Sequence, residues 1–515
     1  MQHQRPRNMD PSPVEHRMMP WIEALVVLLC TITAISPLRG GIDLSPDSVN
    51  FVVAAQNLME HGHFFVYTNW PSHSILPEVE PFTDFPPGYS LYLIPFLAWF
   101  REPYLASAWA HATTILAFFG ALSFLFHGLR WHVLLRMAGY LTVTVFTTYP
   151  VLYAHYWTEP LFIACTLAVG GCIIRTFRSH DRRPWYWAAA FAFLASTLKI
   201  IGVFNLAWFA IPLLRTHHGR TQRAVLAVAA CTAPVLIWFA RNLLTYGTVS
   251  HSHLMGAPDL NDTLLRPIVF LLHDLFRISG PLWPSYLVLL VAVTCFVLPL
   301  RRMTGPAIAR IATVHGMLLL ATCVHLGGIW LLSLVTFFSI LDDRLLSPSI
   351  TLGMIAILNG IHLLSLGQRW WVRTILLLMP FLFLGLSRHT TRLSSPFQMR
   401  TFHVPPEAAA WEDIQASGMV DRASHFYSDR DFRHQLYARI PQRILWDTTN
   451  VGDEQRIREL LRTGDHPFFV MHEASDELKA LEAGLAGSSI ELERTIHPEA
   501  GLVVYTMPPS THRQQ

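Results

Sequence analysis

An α-helical polytopic membrane body followed by a small α/β domain is the architecture this sequence predicts, and three observations predict it. Only 14% of the 515 residues are charged while 52% are hydrophobic, against about 25% charged in an ordinary soluble chain. Apolar runs of bilayer length recur from residue 20 to residue 387. Beyond residue 390 the pattern changes to short apolar runs separated by charged, helix-periodic stretches. The mean hydropathy of +0.35 agrees with a chain whose main solvent is lipid. Such a composition argues against a purely cytosolic enzyme and excludes collagenous, disordered and disulfide-framework classes. A net charge of +3 is too small to argue for nucleic acid as a partner.

A bilayer takes about 20 mostly apolar residues to cross, which gives about eleven spans here. They fall near residues 20–38, 103–127, 132–152, 159–176, 186–199, 201–215, 223–241, 281–300, 313–338, 345–366 and 370–387. The pair 186–199 and 201–215 is short and predicts a tight hairpin. Segment 88–100, GYSLYLIPFLAWF, is too short to cross and reads as an interfacial or re-entrant helix. All six cysteines lie inside apolar runs, where they serve as small buried hydrophobes.

Lysine occurs only at Lys199 and Lys479, so positive charge is carried by arginine. With 88–100 kept out of the count, the arginine clusters at 5–17, 130–136, 175–183, 215–223, 301–310 and 369–373 share one side. The positive-inside rule makes that side cytoplasmic. The expected division is a cytoplasmic tail over 1–19, a transmembrane module over 20–389 that includes an outer loop at 39–102, and a soluble extracytoplasmic domain over 390–515. The first span lacks a small-residue cleavage site after it and reads as an uncleaved anchor. In the tail, the runs at 425–429, 443–447, 467–472 and 502–507 predict strands, and 453–461 and 475–485 predict helices.

Charges at a membrane boundary are costly and therefore mark candidate function. The first outer loop is the richest stretch, with Asp43, Asp47 and Asp84. Ser45 and Asp47 precede the helical pattern of Val49, Val52, Val53 and Leu58, so Asp47 either carries chemistry or caps that helix. Asp43 lies in the linker before it, and Asp84 precedes the rigid Phe85-Pro86-Pro87-Gly88-Tyr89 entry to segment 88–100. Glu159 opens a span beside His155, Tyr156 and Trp157, where it favours the helix dipole or serves the site. Lys199 interrupts the apolar hairpin, and Arg241 and Arg344 stand at span ends. For each of these cations, snorkelling to the interface is the common alternative.

The segments PDSVNFVVAAQNLMEHGHF and PPGYSLYLIPF, with an acidic residue soon after the first span, resemble the GT-C superfamily of integral-membrane glycosyltransferases. The likeness extends to WTEPLFIACTLAV, ASTLKIIGVFNLAW, PVLIWFARNLLTYGTVS and LDDRLLSPSI, in the family's order and over most of the chain. The branch that it resembles includes lipid A aminoarabinose transferase, protein O-mannosyltransferases and lipopolysaccharide-core galacturonosyltransferases. Phe51, Thr158 and Lys199 stand where that pattern has Tyr, Ser and Arg.

The resemblance implies transfer of a sugar from a polyprenyl-phosphate donor to a lipid, glycan or protein acceptor at the outer face of a bacterial inner membrane. Asp47 occupies the position of the family's catalytic acid, with Asp43, Asp84 and Glu159 as secondary candidates. Such a transfer needs a base for the acceptor hydroxyl and cations for the departing phosphate. Lys199, Arg241 and Arg344 are the candidate phosphate ligands, and Tyr89, His155 and Trp157 the candidate sugar or acceptor contacts. No required cofactor or metal is expected, since the D-x-x-x-D of Asp43 and Asp47 is not the D-x-D pattern of the family's metal-dependent members, and His251 and His253 show H-x-H spacing without a third ligand. A transporter or flippase of lipid-linked saccharide remains an alternative, as does a polymerase or ligase. A transporter would place charges at the midplane and repeat its halves; here the charges sit at span ends.

Overall fold

The structure is a computed structural model. It describes residues 13–40, 45–67, 79–145, 148–179, 181, 183–215, 219–247, 249, 306–335, 343–365 and 406–417. In the tail it describes 426–428, 442–444, 468–473, 475–486, 492–499 and 502–506. Helix α1 spans Pro13–Ile35 and runs into a short 3-10 turn, Ser36–Gly40. Helix α2, Pro46–His61, leads to an antiparallel pair of short strands, β1 (Phe65–Tyr67) and β2 (Val79–Pro81). Then come α3 (Gly88–Phe100), α4 (Pro103–Leu129), α5 (Val133–Val145), α6 (Thr148–Ala154) and α7 (Glu159–Ser179). Helix α8 (Arg183–Leu198) turns through a 3-10 segment, Ile200–Asn205, into α9 (Leu206–Arg215) and α10 (Arg220–Tyr246). Helices α11 (Pro306–Val335) and α12 (Asp343–Ser365) complete the described body.

Among the described residues, six helices are long and apolar enough to cross a membrane: Pro20–Leu38, Pro103–Leu129, Glu159–Arg178, Arg220–Tyr246, Thr313–Leu332 and Arg344–Ser365. The chain is a multi-pass membrane protein. The expected span at 132–152 holds α5 and α6, with 146–147 outside the described residues. The expected span at 201–215 opens as a 3-10 segment and contributes a helix of just ten residues. Helix α3 has thirteen residues, as its short apolar run requires. The expected spans at 281–300 and 370–387 lie outside the described residues.

Helix α7 is the centre of the body, packing against α4, α8, α9 and α12. Small residues let its neighbours approach closely: Ala106, Ala110 and Ala121 of α4 and Ala188, Ala192 and Ala195 of α8 are all buried. At the Arg136 end of the bundle, Glu23 of α1 is buried and accepts from Arg136 Nη2 at 2.6 Å and from the Tyr140 hydroxyl at 3.3 Å. Arg136, one of the arginines counted for sidedness, therefore pins α5 to α1. The indole of Trp131 donates to Asn359 Oδ1 at 2.9 Å, tying the turn before α5 to α12.

The tail carries helix α13 (Pro406–Ala416) and a five-stranded mixed sheet with order β4-β3-β5-β7-β6. Its strands are β3 (Phe426–Ser428), β4 (Gln442–Ile444), β5 (Phe468–His472), β6 (Glu493–His497) and β7 (Leu502–Thr506). The four expected strands are present, and so is the expected helix at 475–485, as α14 (Asp476–Ala486). Strand β6 was not expected, because ERTIH is mostly exposed at the sheet edge and shows no clean alternation. The expected helix at 453–461 lies outside the described residues. Alternation sorts β5 and β7 onto two faces. Phe469, Met471, Val503 and Tyr505 pack with Leu478 and Leu481 of α14, while Val470, Leu502 and Val504 point the other way.

Tyr505 donates its hydroxyl to Glu482 Oε1 at 2.7 Å, and burial together with that bond pushes its phenol up to about 12. Its protonated form is thus favoured by the fold. The stability it contributes is complete below pH 10 and is lost as pH rises toward 12. Denaturant unfolding of the full chain over that interval should show less pH dependence in Tyr505→Phe.

Two glycines allow close packing onto the end of α8, Gly88 from the start of α3 and Gly202 from the 3-10 segment that follows α8. A Cβ at Gly88 would lie 2.5 Å from the Thr197 carbonyl oxygen, and one at Gly202 would lie 2.5 Å from the Ser196 Cα. Both obstacles are backbone and cannot swing aside. Gly202→Ala should cost about 1–3 kcal/mol, the usual cost of overpacking, read as a lower unfolding temperature in detergent.

Candidate active site

The site is assembled where the starts of α2, α7 and α12 meet the end of α8. Ser45 is the N-cap of α2, accepting from the Ser48 backbone N–H at 3.3 Å, and Ser48 Oγ in turn accepts from the Ser45 N–H at 3.3 Å. This reciprocal cap occupies Ser45, so Asp47 in the first turn is not the cap and points elsewhere. Asp47 Oδ2 accepts from Arg344 Nη2 at 2.6 Å. Arg344 Nε lies 3.2 Å from Glu159 Oε1, and Lys199 Nζ donates to that same oxygen at 2.5 Å. Asp47, Arg344, Glu159 and Lys199 thus form one alternating chain of charge with a formal sum of zero.

Its members differ in burial. Glu159 has 1% of its side chain exposed, Lys199 16%, Arg344 21% and Asp47 31%. An isolated carboxylate as deep as Glu159 would be prohibitively costly, so its two cations are a condition of the fold. Lys199 reaches it because α8 stops at Leu198 and Lys199 adopts extended backbone, φ −148° and ψ 143°, before the 3-10 turn. Lys199 also sits at a helix C-terminus and the two acids at helix N-termini, all favourable to the helix dipoles. Arg344 in the first turn of α12 is the one charge against its dipole, and two carboxylates compensate it.

A shelf of aromatic residues lines the chain of charge. The Arg344 guanidinium lies 5.3 Å from the centroid of the Trp157 ring, whose indole N–H donates to Ser45 Oγ at 3.1 Å. His155 stacks on the same indole with centroids 4.4 Å apart. The Ser48 hydroxyl donates to the Tyr156 carbonyl, joining α2 to the strand of backbone before α7. The structure therefore brings together Asp47, Glu159, Lys199, Arg344, His155 and Trp157.

Three expected site residues are placed otherwise. Tyr89, expected to contact sugar, is fully buried between Phe51, Tyr92 and Tyr156, and its hydroxyl donates to the Trp157 carbonyl at 3.2 Å. Helix α3 packs it inward, so its ring has no face for a ligand and its contact is with the Trp157 backbone. Arg241, expected with the other phosphate ligands, is held in a separate assembly on α10. Its guanidinium lies 4.7 Å from the Trp238 ring and 4.8 Å from the Tyr246 ring, and it donates to Asn242 Oδ1 at 2.9 Å. Asn242 donates onward to the Thr83 carbonyl at 3.1 Å, which fastens to α10 the bend where half-buried Asp84 stands. Asp43, His251 and His253 lie outside the described residues. Ser48 escaped the sequence reading, although the Ser-x-x-Ser spacing of a reciprocal cap was its available signal.

No protein-family model matches the chain, and no curated protein matches it by sequence. Solved structures do match. ArnT from Cupriavidus metallidurans bound to undecaprenyl phosphate aligns over 96% of this chain and 99% of its own, at 12% identity and a TM-score of 0.54. Arabinofuranosyltransferase AftD from Mycobacteria aligns over 96% of this chain at 16% identity and a TM-score of 0.57, and the match spans 40% of AftD. The archaeal oligosaccharyltransferase AglB from Archaeoglobus fulgidus, in complex with an inhibitory peptide and a dolichol-phosphate, aligns over 95% of this chain and 74% of its own, at 8% identity and a TM-score of 0.52. The chain thus shares its fold with ArnT, AftD and AglB.

Lys199→Met leaves the buried Glu159 with a single cation and should destabilise the protein by about 3–5 kcal/mol, the usual cost of breaking a buried pair. Lys199→Arg should recover most of that loss. Thermal unfolding of the purified proteins in one detergent distinguishes the two.

Proposed function

We propose that the chain is a membrane glycosyltransferase that moves a sugar from a polyprenyl-phosphate donor to an acceptor hydroxyl. One observation carries the reading: a partly exposed carboxylate, Asp47, stands at the end of a membrane body of GT-C fold and is linked directly to Arg344. The solved neighbours support it, since ArnT is bound to undecaprenyl phosphate and AglB is in complex with a dolichol-phosphate.

In this reading Asp47 takes the acceptor proton as the oxygen attacks the anomeric carbon, in a direct displacement that inverts the sugar. Arg344 and Lys199 meet the departing phosphate; a bidentate guanidinium and a fixed ammonium stabilise the charge that develops there. The starts of α2, α7 and α12 add partial positive charge at the same place. Trp157 and His155 offer the ring surface for sugar or acceptor. Glu159 fixes the positions of both cations, and no metal is assigned a step. In this reading the membrane is a bacterial inner membrane, the N-terminus is cytoplasmic, and the site and the tail domain beyond residue 390 are extracytoplasmic, the orientation being the one that puts the arginine clusters inside.

The test is transfer of labelled sugar by membranes offered a panel of polyprenyl-phosphate sugars. Asp47→Asn should lower transfer by about 10²–10⁴, the usual contribution of a general base. Undiminished transfer would remove Asp47 from the chemistry. Movement of lipid-linked saccharide across wild-type membranes without a new glycosidic bond would favour a transporter.

A further inference from the structure

We infer that Arg344 is exchanged between Asp47 and the donor phosphate during each turnover, so that proton uptake by Asp47 and charge build-up on the leaving group are coupled through one guanidinium. The inference rests on the glycosyl-transfer reading and adds to it a constraint on order and timing. Its basis is the asymmetry of the two carboxylates that Arg344 bridges. Glu159 is buried and also held by Lys199, whereas Asp47 is 31% exposed and, among the described residues, has Arg344 as its ion-pair partner. Giving up the contact with Asp47 leaves a partly exposed carboxylate that water can solvate, whereas giving up the contact with Glu159 takes one of two cations from a carboxylate that water does not reach.

The balance of charge makes the exchange productive. An acceptor oxygen forms a bond to the anomeric carbon, and the bond from that carbon to the phosphate oxygen breaks with its electron pair on the phosphate. The acceptor proton passes to Asp47. Asp47 changes from −1 to neutral while the polyprenyl phosphate changes from −1 to −2. The group that loses its claim on Arg344 and the group that gains one do so in the same step. The four-residue chain has no net charge before the reaction, so it attracts a second phosphate charge only after Asp47 is neutralised. Arg344 needs no large movement, because its Nε stays at Glu159 and its ring contact with Trp157 keeps the guanidinium plane in place.

The exchange is tested by binding rather than turnover, with undecaprenyl phosphate as the probe and purified full-length protein in detergent. Asp47→Asn abolishes the competing charge and should bind undecaprenyl phosphate about two- to fivefold more tightly than wild type, the scale of one partly exposed ion pair. Asp47→Ser should do the same, which covers the case of an Asn amide oxygen retaining Arg344. Arg344→Gln placed in either variant should abolish the gain. Wild type that binds while both Asp47 variants bind equally or more weakly overturns the exchange and leaves the donor assignment standing. Wild type that shows no binding overturns the donor assignment and the exchange together.

Discussion

A carboxylate with almost no contact with solvent, Glu159, sits between Lys199 and Arg344, and the rest of the site depends on that placement. Desolvating a carboxylate inside a membrane body is tolerable only when cations arrive with it. Glu159 opens the most central helix, so its two partners must be brought there by other elements. The end of α8 delivers Lys199 and the start of α12 delivers Arg344. Three segments far apart in sequence are thereby locked to one point, and the fourth charge, Asp47, follows because Arg344 has a second face to offer.

Much of the surrounding architecture serves this point. The hairpin that carries Lys199 is compressed by Gly202 against Ser196, and Gly88 brings the start of α3 onto Thr197 of the same helix end. The reciprocal Ser45–Ser48 cap relieves Asp47 of capping α2, and Ser45 also accepts the indole N–H of Trp157. Tyr89, pressed inward, holds the Trp157 backbone from below. At the other end of the bundle, Glu23 and Arg136 join α1 to α5 through the same kind of buried pairing. Opposite charges placed on different helices act here as specific joints, where apolar packing alone would permit sliding.

Individual residues show how far the sequence could be read. Lys199 stood out because it interrupts an apolar hairpin, and Asp47, Glu159 and Arg344 because they stand at helix starts or span ends near the membrane boundary, where a charge is costly and so conspicuous. Their partnership was not visible, since residues 47, 159, 199 and 344 are joined only by the packing of α2, α7, α8 and α12. Arg241 looked like its fellow cations in the sequence and proved to belong to a different assembly, fixed by Trp238, Tyr246 and Asn242. Tyr89 looked like an interfacial aromatic and proved buried, because hydropathy gives the depth of a helix but not its rotation about its own axis.

By itself the sequence marked out an apolar body with runs of bilayer length, a charged tail, and the few charges at the ends of those runs. It also determined the start of α2 and the strands β5 and β7, because capping and alternation are local properties of neighbouring residues. Only the tertiary structure decided which cation meets which acid. Ion pairing depends on distances of a few ångströms between atoms on separate helices, and those distances are outcomes of close packing around α7 rather than of any residue's own preference.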